Sequence, residues 1–188
     1  MPSIADSSGS TRAKNSGFSL IEVMIAVAAV TILFVLAGPS ISRMLIERQV
    51  KETSVDISRS LTVAQLEAVS SHKTVRLCPS SDGQSCRNDG DWNSGWIVFA
   101  DGNSDGEPDR TEILETFDSP NGQVEIRANG AFASEAAFTL NGIVADNDVT
   151  TGSFTICPSK AGAESTIVML DQSGALQRRR DREGCTGD

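Results

Sequence analysis

The sequence predicts an α+β protein in which one long N-terminal helix packs on an antiparallel β-sheet. A continuous apolar run begins at Phe18, and beyond it a helical apolar stripe continues to about His72. The pattern then changes to short β-like runs separated by Gly, Asn, Asp, Pro and Ser. Most of the connections between these runs cannot hold a crossover helix, so neighbouring strands should pair in antiparallel fashion.

The apolar run is long enough for a membrane helix. Residues 1–17 show no apolar periodicity, and residues 18–38 then contain a single charge, Glu22, in 21 residues. A bilayer-spanning helix needs about 20 apolar residues, whereas the apolar core of a secretory signal peptide has about 7–15. A buried core helix is seldom apolar on every face. We therefore expect residues 18–38 to span a membrane.

Glu22 is unusual in such a segment. A carboxylate at the centre of a bilayer costs about 2.5–3.5 kcal/mol on insertion scales, and less near the interface. Two interpretations are open: a functional residue that meets a positive partner, or a side chain in the headgroup layer without a role. Lys and Arg flank the run on both sides, so charge alone does not fix its orientation.

Residues 39–72 continue the helix with an amphipathic pattern. Pro39 lacks an N–H and should bend or locally open the helix one turn earlier. Val55, Leu66 and Val69 lie on a different side from the main stripe, which indicates cover on more than one face. The main apolar stripe comprises Ile46, Val50, Ile57, Leu61, Ala64 and Ala68.

Seven strands are predicted after His72. Each is a short β-like run, and turn-forming residues separate consecutive runs. The predicted strands are residues 74–78, 96–100, 112–117, 124–128, 153–157, 165–170 and 175–179.

The composition limits the function. The chain has 188 residues and a formal net charge of −9, which argues against the uniformly basic surface of general nucleic-acid binders. It has no Tyr and one His, with no nucleophile signature beside it, so we expect neither an enzyme nor a cofactor. His72 falls at the expected helix end, where a polar C-terminal cap accounts for it.

The hexapeptide G-F-S-L-I-E at residues 17–22 resembles the G-F-[ST]-L-x-E cleavage signature of type IV pilins and type II secretion pseudopilins. The resemblance implies that prepilin peptidase cuts after Gly17 and that the new N-terminal Phe18 is N-methylated. It also implies that Glu22 pairs with the N-terminal amine of a neighbouring subunit during assembly. Pro39 falls where pilins of this family often carry a helix-kinking proline.

Two further segments resemble the GspH/FimT branch of these proteins. They are the Cys-Pro run C-P-S-S-D-G at residues 78–83 and W-N-S-G-W-I-V-F at residues 92–99, followed by an Asp/Asn/Gly loop. The likeness is good from residue 17 to about residue 117 and loose beyond it. It implies a type IV pilin fold, a long helix packed on an antiparallel β-sandwich. The implied domains are a leader at 1–17, a transmembrane half-helix at 18–38, an amphipathic half-helix at 39–72 and a periplasmic β domain at 73–188.

The resemblance also implies partners and a location. The protein would be held in the inner membrane as a single-pass protein with its C-terminal domain periplasmic, and would then join a pilus or pseudopilus filament. Its partners would be prepilin peptidase, the inner membrane and other pilins or pseudopilins, which it would contact through the N-terminal helix. The leading interpretation is a type IV pilus minor pilin in assembly priming or at the tip. The alternative is a GspH-type pseudopilin of the type II protein secretion system.

Four cysteines predict disulfides and a location outside the cytoplasm for the C-terminal part of the chain. No pair has the C-x-x-C spacing of zinc sites and thioredoxin-like motifs. Of the three possible connectivities we favour Cys78–Cys86, which flanks a short polar loop, and Cys157–Cys185, which ties down the tail.

A polar loop fits the calcium pattern D-x-[DN]-x-[DN]-G-x5-E. Strands rather than helices are expected to flank it, and Pro108 lies inside it. An ordinary strand connection uses the same residue types, and the GspH/FimT branch commonly has such a loop, so no metal site is assigned. The acidic and amide candidates are Asp101, Asn103, Asp105, Asp109 and Glu112.

An arginine cluster interrupts the acidic C-terminal part, which indicates a local anion site for which nucleic-acid phosphate is one candidate. FimT-like minor pilins include DNA receptors with an Arg-containing C-terminal motif after a glycine. Here three residues separate Gly174 from the arginines, so the motif is not matched residue for residue. An edge strand protected by its charges is the alternative. The candidate DNA-binding residues are Arg178, Arg179, Arg180 and Arg182.

Overall fold

The computed structural model describes residues 18–120, 122–141, 151–159, 163–171, 174–181 and 185, with the backbone alone for residues 34–40. The leader expected at 1–17, including Gly17, lies outside the described residues, as does Arg182. The side chain of Pro39 and those of residues 34–38 of the expected membrane segment lie outside them as well.

Helix α1 is Leu20–Ser71, and the assignment runs through Pro39 without a break. The chain divides into two units, Met1–Pro39 and Ser40–Asp188. In the first unit the described apolar side chains are exposed, Leu20 of the helix to 80 % and Phe18, which precedes it, to 82 %. Within the described residues, no helix combines the length and the apolar character that crossing a membrane requires.

In the second unit α1 presents one buried stripe, whose six members are the apolar residues predicted from their spacing. Ile46, Ile57 and Ala68 recur every eleven residues, about three helical turns, so the stripe stays on one side of the helix. Val55 and Leu66 are exposed, whereas the sequence indicated that a second face of this helix would also be covered. The helix ends where His72 takes a φ of +57°, a left-handed conformation that terminates helices.

Eight strands form two four-stranded sheets in which all pairs are antiparallel. In the first sheet the order is β3-β2-β1-β5, and in the second it is β4-β6-β7-β8. The strands are β1 (Thr74–Pro79), β2 (Gly95–Asp101), β3 (Ile113–Asp118), β4 (Val124–Gly130), β5 (Ala136–Phe138), β6 (Gly152–Pro158), β7 (Ser165–Leu170) and β8 (Leu176–Asp181). All seven predicted strands are present within one or two residues of their expected bounds.

Strand β5 and a short 3-10 helix, Trp92–Ser94, were not predicted. Strand β5 has only three residues, two of them Ala, a residue depleted in strands. It forms because Phe138 is fully buried and pairs with Val75 on β1. Tertiary packing therefore decides this element.

Aromatic rings join the two sheets. Trp92, just before β2, meets Phe154 of β6 edge to face with ring centroids 4.7 Å apart, and Phe132 stacks on Phe154 at 5.1 Å. The buried indole N–H of Trp92 donates to the carbonyl oxygen of Phe132 at 3.1 Å. The two sheets and the buried stripe of α1 consequently share one core.

Steric constraints explain why a glycine stands in the W-x-x-G-W segment. Gly95 has a φ of +99°, in the region that favours glycine. A Cβ atom placed there would lie 2.6 Å from the carbonyl oxygen of Phe117. Gly95 thereby lets β2 begin close against β3.

A buried hydrogen bond links the helix to the first sheet, and it gives a stability prediction. The indole Nε1 of the buried Trp96 donates to Ser60 Oγ at 2.8 Å. We expect Ser60→Ala to lower the free energy of unfolding by about 1–3 kcal/mol, because it leaves a buried N–H without an acceptor. Chemical denaturation would measure this. Ser58→Ala is the matched control, since Ser58 Oγ donates only to the backbone of its own helix, and an equal loss in both variants would contradict the assignment.

Candidate functional site

The arginine cluster lies on an exposed edge strand. Strand β8 is the last strand of the second sheet, and Arg178, Arg179 and Arg180 are exposed on it. Arg178 pairs with Val168, which is buried in the core, so Arg178 and Arg180 share the core-facing side of the sheet at its edge. Arg179 points to the opposite face.

A groove of about 410 Å³ lies between this edge and α1, and we call it the basic groove. Strand β8 contributes Arg178 and Arg180, and the helix contributes Arg48 and Lys51. Two carboxylates also line it, and one of them, Glu164, lies 3.7 Å from Arg180, whose side chain is 83 % exposed. Four cations in one groove of an acidic chain can bind an anionic group.

The contribution of the helix to the basic groove was not predicted from the sequence. Arg48 and Lys51 are three residues apart and therefore neighbours on one side of a helix, a signal that was available. That these two residues lie close to β8 could not be predicted from the sequence, because it depends on how the helix crosses the second sheet.

The opposite flank of α1 carries a second groove of about 360 Å³, which we call the acidic groove. It lies between the helix and β3, the edge strand of the first sheet. Its charged residues are Glu52, Asp56 and Asp118. Burial raises the pKa of Asp56, Arg59 opposes this, and the charge of Glu52 adds to it.

Aromatic rings form one wall of the acidic groove. Trp96 and Phe117 both line it, and their rings are stacked with centroids 5.0 Å apart. Trp96 is almost fully buried, whereas Phe117 is half-buried. The groove therefore combines carboxylates with an apolar surface.

Disulfides fix two loops next to these surfaces. Cys157 at the end of β6 is bonded to Cys185 beyond β8, and Cys78 is bonded to Cys86. This is the connectivity predicted from the sequence. The hydroxyl of Ser165 also donates to the carbonyl of Asp181, which holds the end of β8 against β7. The position of the arginine strand is therefore fixed at its C-terminal end.

The Cys-Pro run closes a loop around Asp82. The Asp82 carboxylate accepts hydrogen bonds from the backbone N–H groups of Gln84 and Ser85 and from the hydroxyl of Ser85. These bonds favour the ionised form and hold the pKa of Asp82 well below its usual range. The loop is thereby a structural feature of the Cys78–Cys86 ring.

The loop that fits the calcium pattern is bound internally. Asp101 is buried and accepts from Arg76 Nε at 2.9 Å, so a cation already faces its carboxylate. The two carboxylate oxygens of Glu112 accept from the backbone N–H groups of Gly102 and Asp109, at 2.9 and 3.2 Å. In the part of the chain that the structure describes, no three His, Cys, Asp or Glu side chains converge as a metal site would require.

Of the residues predicted for maturation and assembly, Phe18 and Glu22 lie at the start of α1, and Pro39 lies within the helix. Phe18 is exposed, and Glu22 is in the first helical turn, where its backbone N–H donates to the carbonyl oxygen of Ser19 at 3.0 Å. A carboxylate at a helix N-terminus interacts favourably with the unpaired N–H groups there. The Glu22 carboxylate is therefore favourable at the start of the helix even without a partner.

Comparison with known proteins gives two family matches. The model of the type II transport protein GspH matches residues 54–174, and the model of the prokaryotic N-terminal methylation motif matches residues 12–38. No curated protein sequence matches significantly.

Among solved structures, the type IV minor pilin FimU of Pseudomonas aeruginosa is similar to 69 % of this chain and 91 % of its own, with 19 % identity and a TM-score of 0.52. The minor pseudopilin EpsH of the Vibrio cholerae type 2 secretion system is similar over 70 % and 96 %, with 13 % identity and a TM-score of 0.50. At these identities the likeness shows the fold.

The internal bonding of the polar loop gives a prediction about calcium. We expect the melting temperature to be the same in calcium and in a chelator, because Arg76 supplies the positive charge that Asp101 faces. Arg76→Gln should lower the melting temperature by several degrees, since it leaves the buried Asp101 carboxylate without its cation. Differential scanning fluorimetry measures both, with Arg110→Gln on the loop as control. A rise with calcium in the parent protein would contradict this assignment.

Proposed function

Because the chain belongs to the family of the type II transport protein GspH, we propose that it is a minor pilin of a type IV pilus that acts in assembly priming or at the tip. The family match and the fold establish that the chain is a minor pilin or a pseudopilin. A GspH-type pseudopilin of the type II secretion system is the alternative. The observation that carries the proposal is a row of three exposed apolar residues on the side of the helix that lies opposite its buried stripe.

This outer stripe consists of Met44, Val55 and Leu66, which are 62 %, 44 % and 67 % exposed. They recur every eleven residues, and each lies two residues before a member of the buried stripe, about 200° around the helix. A surface helix normally carries polar residues on the side opposite the core. The occupant we propose is the corresponding helix of neighbouring pilins in a filament, which would cover this stripe and the apolar residues of the first unit.

The maturation that we propose starts at the methylation motif. Prepilin peptidase would cut after Gly17, and Phe18 would become the methylated N-terminus. Residues 18–38 would then hold the protein in the inner membrane, with the following residues in the periplasm. Both disulfides are consistent with an oxidising compartment of that kind.

Glu22 would select and align the incoming subunit. Its charge is costly in a lipid environment and is relieved when it meets the N-terminal amine of a neighbouring subunit. The same attraction would set the axial position of one helix against the next. Assembly would then be driven by apolar packing and aligned by one ion pair.

Replacement of Glu22 tests this role. We expect Glu22→Ala to remain in the membrane fraction while its amount in sheared filaments falls at least about tenfold, because the ion pair that aligns the subunit is lost. Quantitative immunoblotting of both fractions measures this. Glu107→Ala, which removes a carboxylate from an exposed loop, is the control. Normal incorporation of Glu22→Ala would exclude the proposed role.

Genetic complementation separates the two machines. Expression of this chain in a strain that lacks its own copy should restore surface pili if it is a pilus subunit, and should restore export of secreted proteins if it is a pseudopilin. Because both readouts come from one strain, each machine serves as the control for the other.

A second candidate function is DNA uptake through the arginine cluster. It is favoured by the basic groove, in which Arg48 and Lys51 on the helix add to Arg178 and Arg180 on β8. None of the described residues that line this groove is aromatic, so contacts to backbone phosphates are favoured over base stacking.

Salt dependence tests DNA binding. If four phosphate contacts form, the affinity of the detergent-solubilised full chain for a DNA duplex should fall about 100-fold between 50 and 200 mM salt. Changing Arg178, Arg179, Arg180 and Arg182 to Gln should abolish binding, as fluorescence anisotropy would show. Arg87→Gln with Arg127→Gln, both outside the groove, is the control. Failure of the parent protein to bind would exclude this function and leave the pilin proposal intact.

A further inference from the structure

We propose that the basic groove of one copy of this chain binds the acidic groove of a second copy, so that copies associate side by side through opposite flanks of α1. The proposal goes beyond assembly through the N-terminal helix, because it concerns contacts within residues 40–188. Its basis is the placement of two complementary charged grooves at the same level of one helix.

The two grooves occupy the same height on the helix. Arg48 and Lys51 line the basic groove, and Glu52 and Asp56 line the acidic one, so the two sets follow each other within nine residues of α1. At 100° per residue the midpoints of the two pairs differ by about 90° around the helix, so each pair lines a different groove while the buried stripe faces the core. A second copy placed beside the first at the same level therefore brings opposite charges together.

Each groove is also bounded by an edge strand. Strand β8 borders the basic groove and β3 borders the acidic one, and both are the last strands of their sheets. Edge strands present side chains that no neighbouring strand covers. Arg180 of β8, 83 % exposed in the side chain, can thus reach across to a neighbouring molecule.

The chemistry of the acidic groove suits an arginine. A guanidinium is planar, donates hydrogen bonds to carboxylates in parallel pairs and stacks on aromatic faces. Glu52, Asp56 and Asp118 supply carboxylates, and the partly exposed ring of Phe117 supplies an aromatic surface. An incoming cation would also stabilise the ionised form of Asp56, which burial and the charge of Glu52 disfavour and whose pKa they raise.

Charge complementarity favours a second copy as the occupant. The chain is acidic overall, with a net charge of −9, so most of its surface repels another copy. The basic groove concentrates four of its cations at one place, and the acidic groove offers a matching set. Contact through these two grooves is therefore an arrangement in which two acidic molecules attract each other.

A charge-swap experiment tests the contact with the full chain in detergent. The first variant combines Arg178→Glu with Arg180→Glu, and the second combines Glu52→Lys with Asp118→Lys. Each variant should associate with itself at least about tenfold more weakly than the parent, because like charges then face each other. A mixture of the two variants should associate again, since the acidic groove of the first meets the basic groove of the second.

Analytical ultracentrifugation with two fluorescent labels measures self-association and mixed association separately. The control variant changes charges outside both grooves, Arg87→Glu with Glu107→Lys, and should associate as the parent does. Melting temperatures confirm that each variant is folded before it is compared.

Three results would overturn the proposal. Association that no reversal affects would mean that the N-terminal helix alone carries it. Loss with the arginine reversals but not with the lysine variant would mean that the basic groove binds a different anionic partner. Failure of the mixture to associate would mean that the two grooves do not face each other. None of these results bears on the role of Glu22, so failure here is distinguishable from failure of the pilin proposal.

Discussion

Burial of one stripe of α1 is the interaction on which the rest of the second unit depends. The stripe contacts a core to which both sheets contribute, and aromatic rings around Trp92 and Phe154 complete the contact between the sheets. Without the helix, the two four-stranded sheets would leave a large apolar surface in water. The hydrogen bond from Trp96 to Ser60 adds a directional link, because apolar packing alone permits a helix to slide or rotate.

The same packing creates both charged grooves. A helix that packs on a layer of sheets leaves a cleft along each of its two sides, and here an edge strand borders each cleft. Polar helix residues consequently share a groove with strand residues that are distant in sequence, as Arg48 does with Arg178 and Glu52 with Asp118. Surface chemistry in this fold is therefore set by the angle at which the helix crosses the sheets.

Local patterns allowed the helix, seven strands and both disulfides to be predicted from the sequence. Helical and strand periodicities are short-range signals, and the short spacing of Cys78 and Cys86 restricts how far apart they can lie. Strand β5 was missed because its two alanines carry no strand signal and only the burial of Phe138 selects the conformation. The loop matches the calcium pattern in residue types, but Arg76, which lies 25 positions earlier in the sequence, faces its first carboxylate, that of Asp101.

The eleven-residue spacing of the buried and outer stripes has a consequence for how this helix can change in evolution. Substitutions alter one stripe at a time, so the core and the outward face can diverge separately. Insertion of a single residue between Ile46 and Ala68 would instead rotate everything beyond it by about 100°. Both faces would then be displaced at once, so natural variation in this segment should occur by replacement rather than by change of length.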